Sequence, residues 1–282
     1  MPDVPGTVAV AAAVVVVVAI VIIVLVAATR VWMRRRDVHC FRTMAGRAWV
    51  IPSYDGQGRS MRVLRVGGGT QSATYVDEEL WTVPPGAYIR CFDLVFDAAI
   101  PVRDVLMLGG GGFSYPKHLI STHPEARIDV VEIDPVITAI ARRWFFLDRL
   151  VVEYETDASG RLGIFEQDAL EYLREHDAMY DAIVNDTFSG REPARELMTP
   201  QALALLRTRL RPGGIYVTNV VAPAEGRGSE VLRQTVEACG KAFPQVAVVP
   251  CTTRDRRAVD NRLVVAGDAD LAAIVAKWAA PA

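Results

Sequence analysis

From Val8 to Ala28 the chain contains only Val, Ala, Ile and Leu. As a helix rising about 1.5 Å per residue, that run spans about 30 Å, the thickness of a bilayer core. A cleaved signal peptide wants a positive n-region, yet Met1 to Thr7 carries only Asp3, and the run exceeds the usual h-region. Arg30, Arg34, Arg35 and Arg36 follow at once, and positive charge on that flank holds the C-terminal side in the cytoplasm. The pattern predicts a single-pass anchor in the cell membrane over residues 1–29, with the rest of the chain cytoplasmic. A basic, irregular juxtamembrane linker that touches anionic headgroups is expected over 30–47.

Beyond the linker the rhythm shortens. Ala48 to Pro52 and Met61 to Val66 read as short strands, punctuated by Asp55-Gly56 and by Gly67-Gly68-Gly69. They predict a small antiparallel β-domain over 48–100, closed by a helix over Gly86–Ile100 with Tyr88, Phe92, Leu94, Val95 and Phe96 on one face. From Pro101 strands and helices alternate. Strands are expected at Asp104–Leu108, Arg127–Glu132, Ile164–Gln167, Ala182–Asn185 and Ile215–Val220. Helices are expected near Tyr115–Thr122, Val136–Phe145, Leu170–His176 and Thr199–Leu210. A helix over Ser229–Ala242 precedes two strands, Gln245–Pro250 and Arg262–Ala266, with no helix between them, so these two must pair antiparallel. The fold class that results is α/β. A doubly wound, Rossmann-like methyltransferase sheet with a C-terminal antiparallel strand occupies 101–282, behind the β-domain and the transmembrane helix.

Composition removes other classes. The net charge is −2 and the pI about 6.1, which argues against a nucleic-acid partner. Cys40, Cys91, Cys239 and Cys251 form no Cys-x-x-Cys pair and the four histidines show no ligand spacing, so reduced thiols and no metal site are expected.

The chemistry gathers at strand ends. Gly109, Gly110, Gly111 and Gly112 follow the first core strand, where open α/β sheets bind ligands and where glycine lets backbone amides approach. Glu132 and Asp134 end the second strand. An acid there accepts from ribose hydroxyls, and Asp134, beside Pro135, reads equally as the cap of the next helix. Gln167 and Asp168 end the third strand, where a carboxylate can take the amine of adenine or cap the helix from Leu170; the first reading is preferred. Asp186 ends the strand Tyr180–Asn185 at the cleft rim. A carboxylate there can orient an amine and remove its proton, which matters because an alkylamine has a pKa near 10 and arrives charged. A capping role for Asp186 is the competing reading.

Taken together, the Gly109–Gly112 turn, Val131-Glu-Ile-Asp-Pro-Val-Ile137, Gln167-Asp-Ala169 and Tyr180-Asp-Ala-Ile-Val-Asn-Asp186 resemble the spermidine synthase family of aminopropyltransferases. Leu64-Arg-Val-Gly-Gly-Gly-Thr-Gln71 is similar to that family's Leu-x-x-Asp-Gly-x-x-Gln strand, and Tyr88 stands where its substrate-gripping tyrosine is expected. The resemblance runs from about Ala48 to Ala266. It implies attack by an amine on the carbon beside the sulfonium of decarboxylated S-adenosylmethionine. Asp186 would be the catalytic aspartate, Glu132 the ribose acid, Asp168 the adenine-side acid, and Gln71 and Tyr88 substrate contacts. It also implies association through the β-domain, as a homodimer or a tetramer.

Three departures mark this chain. The family's glycine loop carries an Asp that grips the donor's ammonium, and Gly112 stands there instead. Thr187-Phe188-Ser189-Gly190 lacks the second acid that helps hold the amine. The late loop Cys251–Asn261 has Arg254, Arg256 and Arg257 in place of a tyrosine. Losing the donor-side Asp relaxes discrimination between decarboxylated and intact S-adenosylmethionine. The alternative activities are therefore a methyltransferase acting on a membrane-proximal small molecule and a non-catalytic nucleoside-binding module.

Overall fold

The computed structural model describes residues 4–189 and 192–278. Residues 1–3 of the expected anchor, 279–282 of the expected catalytic domain and Gly190 lie outside the described residues. The apolar run forms one helix, α1 (Val4–Arg35), whose stretch Ala12–Met33 is long and apolar enough to cross a membrane, and Ala12 to Trp32 stands exposed. The helix stops where Asp37 turns left-handed at φ 52°. That aspartate accepts hydrogen bonds from His39 Nε2 at 2.8 Å and Arg62 Nη2 at 2.9 Å, and these bonds hold its carboxyl below the usual range against its partial burial.

The stretch expected as a linker is largely regular. Its first residues extend α1, and β1 (His39–Thr43) and the start of β2 (Gly46–Tyr54) follow. With β3 (Ser60–Val66) and β4 (Gly69–Tyr75) they make a four-stranded antiparallel sheet in the order β1-β2-β3-β4. The alternation of charged and apolar residues in β1 was too short to register as a strand in sequence. Pairing with β2, Phe41 to Ala48 and His39 to Val50, is what makes it one.

The expected helix over Gly86–Ile100 breaks in two. α2 (Ala87–Cys91) passes into a 3-10 turn over Phe92–Asp97. At three residues per turn Phe92 and Val95 fall on the same face, and both are fully buried. Apolar neighbours at a spacing of three, not 3.6, decide the tighter coil.

The main sheet has seven strands. Five are parallel: β5 (Asp104–Leu108), β6 (Arg127–Val131), β7 (Leu162–Phe165), β8 (Tyr180–Asn185) and β11 (Leu210–Ala222). Two-residue strands β9 (Phe188–Ser189) and β10 (Glu192–Pro193) pair beyond β8. At the far edge β12 (Gln245–Pro250) pairs antiparallel with β13 (Asp260–Gly267), which itself inserts antiparallel beside β11. The spatial order is β12-β13-β11-β8-β5-β6-β7, as the helix-free link between the last two strands requires.

Helices α3 (Ser114–Thr122), α4 (Pro135–Trp144), α7 (Ala169–Glu175), α8 (Pro200–Thr208) and α9 (Glu230–Ala242) fall where the sequence places them. Three short helices have no counterpart in the sequence reading: α5 (Leu147–Glu153), α6 (Thr156–Ser159) and α10 (Ala272–Trp278). The last docks on the 3-10 turn through Trp278 Nε1, which donates to Asp97 at 2.6 Å.

Both faces of the sheet are covered, so β5 reads as continuously apolar. Val105 and Met107 join one core and Leu106 and Leu108 the other. The first core also takes Ala48, Val50, Leu64 and Val66 from the antiparallel sheet. The antiparallel sheet and the main sheet thus share one interior.

Candidate active site

From β5 the sheet grows one way through β6 and β7, then returns to β8 on the other side. Such a reversal opens a crevice beyond the strands' C-terminal ends. A cleft of about 1140 Å³ lies there, lined by the glycine turn, Glu132, Asp134, Gln167, Asp168 and Asp186, and by Gln71 and Tyr88 from the upstream elements. Every residue expected at a site except Gly112 is among its lining residues, and Gly112 sits just behind, against Ser72.

Each glycine of the turn has its own reason. Gly109 has φ +90°, and a Cβ there would lie 2.8 Å from the Asp186 carbonyl oxygen. Asp186 in turn donates its N–H to the Leu108 carbonyl at 2.9 Å, so the ends of β5 and β8 touch here. A Cβ at Gly110 would strike the ring of Phe113 at 2.8 Å, and one at Gly112 the Ser72 hydroxyl at 2.5 Å and Phe145 at 2.8 Å. Only Gly111, φ +50°, faces open space. Three of the four are therefore glycine for packing inside the protein, while Gly109, Gly110 and Gly111 also line the cleft.

The amides of the turn are engaged as well. Glu132 Oε2 accepts from the N–H of Gly110 and of Gly111, both at 3.0 Å, and its Oε1 from Asp134 N–H at 3.1 Å. Burial pushes the Glu132 carboxyl up and these three amides pull against it. A buried carboxylate thus holds the Gly110 and Gly111 amides, and with them the turn, in shape.

Asp134 caps α4, accepting from Val136 N–H at 2.9 Å, and its second oxygen takes Met44 N–H at 2.6 Å from the turn between β1 and β2. At 4% exposure it has an amide on each oxygen, so of its two expected roles the capping one is met. Asp168 also caps, its Oδ1 accepting from Leu170 N–H at 2.8 Å and Glu171 N–H at 3.1 Å. The preference for adenine contact over capping is corrected to this extent: the cap is made, by one oxygen. Beside it Gln167 Nε2 is buried without a hydrogen-bond partner among the described residues. An orphaned donor at the cleft wall suits a ligand acceptor such as a purine nitrogen.

Asp186 is not a cap. Its Oδ1 accepts one bond, from Asn219 Nδ2 at 2.9 Å, and burial pushes its carboxyl up to about 7 with only that bond opposing. Tyr88 lines the same cleft: burial raises the phenol's pKa, and the negative charge of Asp186 raises it further. The position of Asp186 depends on Asn185, fully buried, whose Oδ1 takes the N–H and hydroxyl of Thr187 at 3.1 and 2.6 Å while its Nδ2 donates to Tyr216 at 2.9 Å. A carboxylate titrating near neutrality at a cleft wall can accept a proton from an incoming nucleophile.

Sequence reasoning missed Asn219, Asn261 and the serine pair. Asn219 Nδ2 also donates to Asn261 Oδ1 at 3.0 Å, which uses both its hydrogens. An asparagine within Ile-Tyr-Val-Thr-Asn-Val, a buried and mainly apolar stretch of β11, was the available signal. Ser72 and Ser114 pair their hydroxyls at 3.0 Å across β4 and the start of α3. Only the fold brings them together.

Residues 94–258 match the family model of the spermine/spermidine synthase domain. The chain belongs to that family. It is 31% identical over 124 residues to a polyamine aminopropyltransferase of Vibrio vulnificus, covering 43% of this chain and 38% of the relative. It is 28% identical over 188 residues to a probable polyamine aminopropyl transferase of Bifidobacterium longum, covering 66% and 39%. The chain thus spans less than half the length of these two relatives. Among solved structures, a probable spermidine synthase from Corynebacterium glutamicum superposes with a TM-score of 0.65 at 20% identity, over 82% of this chain and 80% of that one. A spermidine synthase in complex with the transition-state analogue AdoDATO gives 0.64 at 16% identity, over 86% and 85%. At such identities the superpositions establish a shared fold, the Rossmann-like sheet with its antiparallel β-sheet in front.

Proposed function

We propose that this protein is a membrane-anchored transferase of the spermidine synthase type, moving an aminopropyl group from decarboxylated S-adenosylmethionine to an amine. The observation that carries this reading is Asp186: a carboxylate with a pKa of about 7, at the wall of the cleft where the glycine turn and the acid of β6 meet. The amine's lone pair forms the new C–N bond. The C–S bond breaks with its electrons passing to sulfur, which leaves methylthioadenosine, and the proton lost by the amine passes to Asp186 and on to solvent. Holding the two reactants in line supplies much of the acceleration. Glu132 and Gln167 are proposed to meet ribose and adenine, Asp168 to offer its second oxygen to the adenine side, and Gln71 and Tyr88 to hold the acceptor. Affiliation to the family, relatives bearing the aminopropyltransferase name and the uncovered apolar helix ending in arginines support the reading. The charge flank favours a single pass with the catalytic domain on the cytoplasmic side.

A second reading has its own observation. At Gly112 no side chain fits against Ser72 and Phe145, so the donor's tail meets two hydroxyls where the family places a carboxylate. That favours intact S-adenosylmethionine, whose tail carries a carboxylate of its own, and hence methyl transfer.

Calorimetry on the full chain in neutral detergent, with decarboxylated and intact S-adenosylmethionine and methylthioadenosine, separates the two. The first reading expects tighter binding of the decarboxylated donor and amine-dependent release of methylthioadenosine, lost by 10²-fold or more in Asp186→Asn. Tighter binding of the intact donor, with no methylthioadenosine released, moves the assignment to methyl transfer.

A further inference from the structure

We propose that Cys91 and Cys251 form a redox pair, oxidised by a hydroperoxide to a disulfide that ties two walls of the cleft together. The two stand 160 residues apart in the chain, and only the fold sets them side by side. Cys91 ends α2 and is buried, whereas Cys251 follows β12 and is partly exposed. The Cys91 sulfur lies 3.5 Å from the Cys251 carbonyl oxygen, and the two thiols hydrogen-bond each other. Both belong to the first core. Cys239 is buried in the other core, and Cys40 stands exposed on β1.

The two thiols are chemically unequal. The Cys251 thiol donates to the Cys91 sulfur, which holds the Cys91 thiol below its ordinary range against the effect of burial. The same bond, with burial behind it, pushes the Cys251 thiol up. The thiolate is the nucleophile, so Cys91 attacks the outer oxygen of the hydroperoxide. The O–O bond breaks, the alkoxide takes up the proton that Cys91 shed, and Cys91 is left as a sulfenic acid. The Cys251 sulfur then attacks the Cys91 sulfur. The S–S bond forms, the S–O bond breaks, and the oxygen leaves as water with the Cys251 proton. Two electrons have passed from the two sulfurs to the peroxide.

The bond acts on the cleft because each cysteine belongs to one of its walls. On the Cys91 side Tyr88, Ile89 and Phe92 line it; on the Cys251 side Val259 and Asn261 do. Asn261 accepts from Asn219, the residue that donates to Asp186. Tyr88 and Cys251 both feel the charge of Asp186. A disulfide brings its sulfurs to about 2.0 Å, well inside the contact of two hydrogen-bonded thiols. Closing that gap draws α2 and the segment 251–261 toward each other, and a misplacement of about 1 Å costs about 10²-fold in rate. The oxidised protein is the slow form. That consequence rests on the transfer reading above, whereas the bond itself does not.

The test uses the full chain in neutral detergent, first reduced, then freed of reductant and treated with hydrogen peroxide. Free thiols are blocked with iodoacetamide and the digested peptides are mapped by mass spectrometry. The expected result is a linked peptide pair containing Cys91 and Cys251, released by dithiothreitol. It should persist in Cys40→Ser and vanish in Cys251→Ser and in Cys91→Ala. Turnover of decarboxylated S-adenosylmethionine with 1,4-diaminobutane should fall about tenfold or more on oxidation, return on reduction, and in Cys251→Ser stay indifferent to peroxide. Recovery of both cysteines from the unaltered protein as blocked thiols, or of either as a sulfinic acid without linkage, overturns the pair. A reversible link that leaves turnover unchanged overturns its effect on the cleft. No turnover even in the reduced protein overturns the transfer reading, and the peptide map still decides the bond.

Discussion

Asp186 keeps its proton to about pH 7 because its carboxylate is buried with one amide donor against the cost of desolvation. The unfolded chain sheds that proton near the ordinary 3.8. Between those values the folded state binds more protons than the unfolded one, so stability falls as pH rises from about 4 to about 7. Asp186→Asn removes the penalty. It should be inactive yet more stable at pH 8 by on the order of 2–4 kcal/mol, with the gain vanishing near pH 4; melting curves at the two pH values check this. Turnover of the unaltered protein should fall about tenfold per pH unit below 7. Asn219→Ala, which removes the one bond that lowers the Asp186 pKa, should move that acid limb upward. The glycines can be tested singly. Gly109→Ala places a Cβ 2.8 Å from a backbone oxygen at φ +90° and should cost about 2–3 kcal/mol or more. Gly112→Asp should also destabilise, and should not rescue a preference for the decarboxylated donor, because no space receives the carboxylate.

At the scale of elements, two aspartates were each open to a capping and a ligand role, and only geometry separates them. Asp134 spends both oxygens on backbone amides of two different elements. Asp134→Ala should therefore cost more than the ~1 kcal/mol of an ordinary cap, and hydrogen exchange should quicken at Met44 and Val136 together. Asp168 spends one oxygen. Asn is as good a cap as Asp, so Asp168→Asn should leave the melting temperature within a degree or two and weaken nucleoside binding about tenfold, a split that calorimetry and thermal melting read directly.

At the scale of the molecule, the apolar stretch of α1 from Ala12 to Trp32 stands exposed, whereas the antiparallel sheet shares its interior with the main sheet. A chain beginning at Asp37 should keep the melting temperature of the whole protein and lose co-sedimentation with liposomes. Truncation past His39 should cost stability, because Asp37 and β1 belong to the folded body. Deleting the antiparallel sheet should unfold the catalytic part, since Ala48, Val50, Leu64 and Val66 leave a common core.

The alternation of strand and helix from residue 104 to 250 could be read from the sequence because the central parallel strands β5 and β8 are buried on both faces and the helices between strands have one apolar side. Gly109, Glu132, Asp168 and Asp186 could be picked out because they stand where those strands end, and strand ends at a sheet's reversal meet in space. The short helices α5, α6 and α10, the break in the helix after Gly86 and the strand β1 had no such signal. Their conformation comes from neighbours supplied by distant segments, as Asp97 supplies one for Trp278. The roles of individual polar atoms were likewise beyond sequence. Whether a carboxylate caps a helix, steadies a glycine turn or stays available for a proton depends on which amides lie within 3 Å, and the chain brings those together only on folding.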